Sequence, residues 1–260
     1  MASQFDKEFQ NTIYHDPQRY DAEHWWKEDD IPLWRTLFKR APGPKVLELA
    51  AGTGRLALPL LECGAQYTGL EISPEFCVHA RQKLSSYGDQ ARIIEGDIRF
   101  FDLSETFDLI MIGFNSFLHL LRDEDATDCL TSLCRHMHSD SLFALDIFIP
   151  NPLFLYRPEG VRFTTMEYRD PVTNELIEVE ESNDYNPETE INHISWYYSS
   201  AEKKDEHIYE FNMRMYWPDT LNRLLIDSGL EVMEIWGDYE GTKLTSVSNL
   251  QIPICRLQTV

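Results

Sequence analysis

The sequence predicts an α/β fold: a doubly wound, mostly parallel seven-stranded sheet with an inserted antiparallel β cover. Between residues 45 and 149, apolar runs alternate with helical segments, which implies right-handed crossovers and a parallel sheet. After Pro150-Asn151-Pro152, the pattern changes to period-two runs that are typical of an antiparallel sheet with one solvent-facing side. A final helix followed by two strands fits an antiparallel hairpin that closes the parallel sheet.

The individual elements follow from local signals. Residues 1–40 carry no strand signal, and a helix begins at Ile31 with Asp30 as its N-cap. Gly64 is expected to be a left-handed helix cap, and Ser73-Pro74 to start a further helix. The predicted core strands are 45–50, 66–71, 91–95, 108–114, 142–149, 231–237 and 249–257, with helices at 55–63, from 73 to about 88, 123–137 and 218–228; the predicted strands of the insert are 161–169, 176–184, 191–200 and 206–217.

Composition excludes several classes of partner. The 260 residues are 43% apolar and 12% aromatic, which favours a folded globule over a disordered chain. The net charge of −21 disfavours binding to nucleic acid or to an anionic membrane. Five scattered cysteines without CxxC spacing indicate free thiols in a reducing compartment and no metal site. The N-terminus lacks an apolar signal segment, so we expect a cytoplasmic protein.

The stretch Val46-Leu47-Glu48-Leu49-Ala50-Ala51-Gly52-Thr53-Gly54-Arg55 predicts a buried strand, a glycine turn and the start of a helix. Glu71 and Asp97 each close one of the next two apolar runs. The carboxyl ends of parallel strands lie at one edge of a sheet, where such residues can bind an adenosine-containing cofactor. The string from Gly52 to Ala57 also satisfies the dinucleotide fingerprint, so an NAD-dependent oxidoreductase is an alternative.

Three carboxylates favour a cofactor without phosphates. Glu48 lies four residues before Gly52, and a carboxylate beside the loop would repel a pyrophosphate but suit an ammonium group. Asp97 can accept a hydrogen bond from an adenine amino group, and Glu71 can accept from two ribose hydroxyls. Together they favour an ammonium-bearing adenosine cofactor over a dinucleotide.

Residues of about 41–150 and 218–258 resemble the class I S-adenosylmethionine (SAM) dependent methyltransferases, through the motifs LELAAGTGR, TGLEIS, EGDIRFFDL and FDLIMIGFNSFLHLL. The resemblance implies a Rossmann-like core and SAM as cofactor, with S-adenosylhomocysteine as product. It implies cofactor contacts from Tyr20, Glu48, Ala50, Gly52, Gly54, Glu71, Ile72, Asp97, Ile98 and Phe114. Ala50 replaces the first loop glycine of the family. Its methyl group is tolerated at negative φ but strained in a left-handed backbone.

The layout is most similar to small-molecule N-methyltransferases. This implies that residues 1–40 form an N-terminal helical lid, that residues 41–154 and 218–260 form the SAM-binding core, and that residues 155–217 cover the substrate. The candidate catalytic residues are His119, Tyr20 and Tyr14, and the candidate substrate-binding residues are Trp26, Asn115, Phe117 and Trp196. His119 could act as a general base or pack beside the cofactor.

The predicted activity is transfer of a methyl group from SAM to a small molecule, with an amine nitrogen favoured as acceptor. The loop after the fourth strand lacks the Asn/Asp-Pro-Pro-aromatic motif of nucleic-acid methyltransferases, which disfavours a nucleobase substrate. The expected partner is thus a small-molecule substrate, without nucleic acid or membrane, for a monomer or homodimer. The alternatives are an O-methyltransferase, an NAD-dependent oxidoreductase and a non-catalytic SAM-binding protein.

Overall fold

The computed structural model describes residues 12–258, which fold into two compact units. The core unit comprises residues 29–149 and 216–258, and the antiparallel unit comprises residues 12–28 and 150–215. The helices are α1 (Pro17–Glu23), α2 (Ile31–Arg40), α3 (Ala57–Leu61), α4 (Pro74–Lys83), α5 (Asp123–Cys134), α6 (Pro152–Leu155) and α7 (Pro218–Asp227). The strands are β1 (Lys45–Leu49), β2 (Gln66–Glu71), β3 (Ala91–Glu95), β4 (Phe107–Ile112), β5 (Met137–Leu145), β6 (Ile147–Phe148), β7 (Phe163–Arg169), β8 (Leu176–Asn186), β9 (Ile191–Ser199), β10 (His207–Arg214), β11 (Leu230–Trp236) and β12 (Leu250–Leu257).

The core unit contains the predicted mixed sheet, in the order β11-β12-β5-β4-β1-β2-β3. Strands β1 to β5 pair in parallel, whereas β12 runs antiparallel to both β5 and β11. The short strand β6 adds to β12 beyond β5. The fold class is therefore confirmed. Its consequence for the site is that the carboxyl ends of β1, β2 and β4 lie side by side at one edge of the sheet.

Helix α2 belongs to the core unit and not to the N-terminal segment to which the sequence assigned it. Leu33, Trp34 and Leu37 are fully buried in the same apolar cluster as residues of β1 and β4. Asp30 stands at the N-cap position, but its carboxylate makes no capping hydrogen bond. The predicted N-cap position is therefore right, but the side chain has another role, because the Arg55 guanidinium binds both carboxylate oxygens of Asp30 at 2.7 Å each.

Two further bounds differ from the predicted ones. Residues 150–154 group with the antiparallel unit, and residues 216 and 217 group with the core unit. Strand β5 begins at Met137, five residues before the predicted start, because residues 138–141 bulge out between two paired positions. The hydroxyl of Ser141 stabilises this bulge by donating to the carbonyl of Phe107 at 2.6 Å. Residues 1–11 of the predicted lid lie outside the described residues.

The antiparallel unit contains four strands in the order β10-β9-β8-β7, each antiparallel to its neighbour. Tyr168, Ile177, Val179 and Tyr198 form its buried cluster, and Ala22 of α1 packs against them. Asp16 caps α1 by accepting from the Arg19 backbone N–H at 3.0 Å. The period-two runs therefore do form an antiparallel sheet, and α1 packs on it.

Candidate functional site

The loop after β1 has a strained backbone. Ala50, Gly52 and Gly54 all have positive φ, at 57°, 58° and 76°. Glycine adopts this conformation without strain, whereas a left-handed L-residue costs about 1–2 kcal/mol. Ala50 therefore adopts the left-handed backbone, in which its methyl group is strained. Among residues 12–258, no heavy atom outside Gly52 and its two chain neighbours lies within 4 Å of the position that a Gly52 Cβ would take, so this side of the loop is open.

Glu71, the last residue of β2, holds the glycine loop in place. Its Oε2 accepts from the Gly52 backbone N–H at 2.7 Å, and its Oε1 accepts from the Ser73 N–H at 2.8 Å. Burial raises the pKa of this carboxyl, and the backbone N–H groups oppose that change. A carboxylate has about four acceptor sites, more than these backbone N–H groups occupy, so Glu71 can still accept from a hydroxyl of a ligand.

Glu48, in β1, is buried beneath the loop. The Tyr67 hydroxyl donates to its Oε2 at 2.5 Å. Burial raises the pKa of Glu48 to about 8, although the hydrogen bond from Tyr67 and the nearby Arg55 both lower it. At neutral pH this carboxyl is therefore mainly protonated. The predicted contact between Glu48 and the ammonium group of the cofactor stays a prediction.

Asp97 follows β3 and is bound by a residue that the sequence analysis did not consider. The Arg99 Nε lies 3.1 Å from each Asp97 oxygen, and the Arg99 Nη2 lies 2.7 Å from Oδ2. Arg99 also donates from Nη1 to Asp125 at 3.1 Å. A ligand that binds Asp97 therefore shares this carboxylate with Arg99.

The loop after β4 is held by a second buried carboxylate. Phe114 and Asn115 have consecutive positive φ values of 51° and 62°. The Phe114 N–H donates to Asp146 Oδ1 at 2.7 Å, and the Tyr239 hydroxyl donates to Asp146 Oδ2 at 2.9 Å. The Asn115 Oδ1 accepts from the Phe148 N–H at 2.9 Å. This unusual backbone is thus fixed from several directions, as is common at functional sites.

Two candidate residues of this loop differ in exposure. Phe117 is fully buried, with its ring centroid 5.0 Å from that of Tyr216. It is a core residue, so its predicted contact with substrate is wrong in this structure. His119 ends the short 3-10 segment Ser116–His119 and is half-buried. Asn115 and Phe114 are also half-buried, and the Arg55 guanidinium lies 5.4 Å from the Phe114 ring centroid.

Comparison with known proteins gives the family. Residues 46–140, which contain β1 to α5 and the motifs described above, match the family described as a methyltransferase domain. Residues 46–140 are therefore a methyltransferase domain, and the protein is a SAM-dependent methyltransferase.

One relative and two solved structures illustrate the range of this methyltransferase's similarity. The glycine/sarcosine N-methyltransferase of Aphanothece halophytica is 25% identical over 76% of this chain and 70% of its own length. The CcbJ methyltransferase from Streptomyces caelestis has a TM-score of 0.79 and 21% identity, covering 95% of this chain and 99% of that chain. SAM-bound CalS10, an amino pentose methyltransferase from Micromonospora echinaspora, has a TM-score of 0.60 and 17% identity, covering 99% and 98%.

The site of the methyltransferase fits its cofactor. The open side of Gly52 leaves room beside the loop, and Glu71 offers free lone pairs at the neighbouring strand end. Ile72 and Ile98 are half-buried and flank Glu71 and Asp97 in sequence. Apolar side chains of this kind suit the adenine ring, and carboxylate acceptors suit the ribose hydroxyls and the adenine amino group. Gly69 is also needed, because a Cβ there would lie 2.7 Å from the Ala51 side chain.

The other candidates lie in the antiparallel unit. Tyr14 and Tyr20 are half-buried, with ring centroids 6.2 Å apart, and Tyr20 lies 4.3 Å from the His24 ring. Trp26 is exposed. Trp196 donates from Nε1 to Glu181 at 2.7 Å and packs edge-on against Phe211. Trp196 therefore already has a structural role in the sheet, while the roles of Tyr14, Tyr20 and Trp26 stay predictions.

The structure also bears on membranes and metals. Over residues 12–258, no helix is long and apolar enough to cross a bilayer. In that same range, no group of three or more His, Cys, Asp and Glu side chains could hold a metal ion. All five cysteines have free thiols.

Proposed function

We propose that this methyltransferase transfers the methyl group of SAM to a nitrogen atom of a small-molecule amine. The observation that carries the proposal is the extent of the structural likeness. The match to the CcbJ methyltransferase covers 95% of this chain, so it includes the antiparallel unit and is not confined to the cofactor-binding sheet. The names of the amino pentose methyltransferase and the glycine/sarcosine N-methyltransferase both point to amine-bearing acceptors.

In this proposal the core unit holds the cofactor. Glu71 accepts from the ribose hydroxyls, Asp97 and Ile98 contact the adenine, and the backbone of Ala50, Gly52 and Gly54 lies against the methionine part. Ile72 and Phe114 supply apolar contacts. When bound, SAM supplies a methyl group on a sulfonium centre that is itself a good leaving group. The protein's own contribution is orientation and exclusion of water.

The acceptor must lose a proton, because a protonated amine has no lone pair for attack. His119 is the proposed general base, since histidine is the side chain that most often accepts a proton in enzyme active sites. Asn115 is the proposed substrate-orienting residue of the same loop. Tyr14, Tyr20 and Trp26 are proposed to contribute from the antiparallel unit, and substitution of each to phenylalanine tests that contribution.

The experiment is a methyl-transfer assay with methyl-labelled SAM and two matched panels of acceptors, one of small amines and one of the corresponding alcohols. Label is expected in amines only. Label in alcohols alone would make the protein an O-methyltransferase. Calorimetric binding of SAM without transfer to either panel would indicate a non-catalytic SAM-binding protein. His119→Ala is expected to lower kcat more than it weakens SAM binding, and equal losses would contradict its role as a base.

A further inference from the structure

The antiparallel unit contains a partly open pocket of about 140 Å³ that the proposed methyl transfer does not use. Arg19 of α1 lines it together with Tyr168 and Tyr198 of the sheet. Its acidic lining residues are Asp170, Glu175 and Glu206. A cavity of about 150 Å³ holds a ligand the size of benzene, so a molecule of a few heavy atoms fits here.

The Arg19 guanidinium has unused hydrogen-bond donors, although its side chain is only 16% exposed. To the described residues it donates one hydrogen bond, from Nη1 to the Tyr209 hydroxyl at a long 3.4 Å. The carboxylate oxygens of Asp16 and Asp170 lie farther away, 3.6 Å from Nε and 3.9 Å from Nη2. Within residues 12–258, Nε has no hydrogen-bond partner. A guanidinium presents a fork of N–H donors that matches a carboxylate.

Tyr168 contributes a second unused donor. The side chain is 2% exposed, and its hydroxyl has no hydrogen-bond partner in the described part of the chain. Burial raises the pKa of Tyr168, so the phenol keeps its proton. A buried hydroxyl without a partner costs free energy that a ligand atom can recover. Arg19 and Tyr168 are both donors, so the group that satisfies them is an acceptor, ideally an anion.

The same pocket disfavours a simple anion. Asp170, Glu175 and Glu206 all line it, and they would repel a ligand with only negative charge. A ligand that carries an ammonium group beside its carboxylate satisfies both sides. We propose that this pocket binds a small zwitterion of the amino-acid type, with its carboxylate on Arg19 and Tyr168 and its ammonium on the acidic residues.

Calorimetric titration of the full chain with three probes tests the proposal: glycine, acetate and methylammonium. Glycine is expected to bind most tightly, because each of the other probes carries only one of the two charges. Arg19→Met should weaken glycine binding by about tenfold or more, and Tyr168→Phe by a smaller factor. Arg19→Lys keeps the charge but loses the fork, so an intermediate loss is expected.

The matched control is Arg162→Met. Like Arg19, which lies over the Tyr198 ring at 5.8 Å, Arg162 lies over a tyrosine ring of this sheet. It binds Asp205 at 2.7 Å but does not line the pocket. This variant should bind glycine like the wild type. The proposal is overturned if glycine binds no better than acetate and methylammonium, or if Arg19→Met and Arg162→Met bind it equally. Circular dichroism identifies a variant that fails to fold. If Arg19→Met does not fold, the glycine affinity of Arg19→Lys is compared with that of Arg162→Met instead. Failure of methyl transfer to amines would leave this binding unaffected.

Discussion

At the scale of single residues, we expect Glu48 to couple cofactor binding to pH. Its pKa is raised to about 8 by burial, so the cofactor-free protein holds a proton there at neutral pH. A cationic cofactor beside this carboxyl favours the ionised form, and binding then releases the proton. We expect SAM affinity to rise with pH, by up to about tenfold per pH unit, and to level off near pH 8. Calorimetry in buffers of different ionisation enthalpy measures the proton release directly.

Glu48→Gln is the control for this prediction. It keeps an acceptor for the Tyr67 hydroxyl but cannot ionise. Its SAM affinity should change less with pH than that of the wild type, and any change that remains comes from the amino group of SAM itself. Parallel pH profiles for the two proteins would show that Glu48 does not titrate on binding.

Ala50 lowers the stability of the loop it belongs to. Glycine at this position would relieve about 1–2 kcal/mol of left-handed strain. The greater freedom of glycine in the unfolded chain offsets about 0.4–1 kcal/mol. Ala50→Gly should therefore raise the free energy of unfolding by about 0.5–1 kcal/mol, measured by urea denaturation.

Ala80→Gly is the matched comparison for that stability change. Ala80 is buried within helix α4, where alanine is favoured, so this variant should lose about 1 kcal/mol or more. If Ala50→Gly destabilised the protein as Ala80→Gly does, the left-handed conformation of Ala50 would be refuted.

At the scale of elements, the segments that follow β5 and β11 together fix the loop after β4. Tyr239 donates to Asp146, and Asp146 accepts from the Phe114 N–H. Tyr239→Phe removes one hydrogen bond to a buried carboxylate, which contributes about 1–3 kcal/mol. We expect kcat to fall about tenfold or more while the Kd for SAM changes little, because Glu71 and the glycine loop are untouched.

Tyr87→Phe is a suitable control, since Tyr87 is a half-buried tyrosine of the core cluster outside this loop. Its kcat should match that of the wild type. An unchanged kcat in Tyr239→Phe would mean that the loop keeps its conformation without this contact.

Helix α1 is joined to the antiparallel sheet by a carboxyl that resists ionisation. The Tyr198 hydroxyl donates to Glu23 Oε1 at 2.6 Å, and Glu23 is fully buried. Burial raises the pKa of Glu23 to about 8, above its ordinary value of about 4.3. Its contribution to stability is therefore complete below about pH 4.3 and is lost as the pH rises through 8.

Glu23→Gln should remove this dependence. The difference in the free energy of unfolding, variant minus wild type, is expected to increase between pH 5 and 8 by at most about 1.4 kcal/mol per pH unit. Urea denaturation at several pH values measures it. Glu188→Gln, in an exposed turn, should show a constant difference. A flat difference for Glu23→Gln would mean that Glu23 is ionised throughout.

At the scale of the whole molecule, the sequence predicts what is set locally. The bounds of β2 and β3 match the predicted ranges 66–71 and 91–95, because turn residues delimit both apolar runs. The start of β5 was missed because its bulge carries polar residues that resemble a turn. The burial of Phe117 was missed because its partner, Tyr216, lies far along the chain.

In the candidate site, too, only the residues whose positions depend on local structure could be predicted from the sequence. Glu71 at the tip of β2 could be predicted, since a strand end fixes its position without knowledge of any partner. The Asp146–Tyr239 pair could not, because 93 positions separate the two residues and their contact depends on how the strands are ordered. One signal was available: Asp146 is the only charged residue in the predicted fifth strand, 142–149.

The position of β12 also has a consequence for synthesis on the ribosome. β12 spans Leu250–Leu257, yet it lies between β5 and β11 and pairs with both. The edge of β5 at Phe143 and Ala144 therefore stays unpaired until more than a hundred later residues, up to β12, have been translated. An unpaired apolar edge invites mispairing. The nascent methyltransferase is thus exposed to aggregation late in translation, and a chaperone that shields β5 would act in that interval.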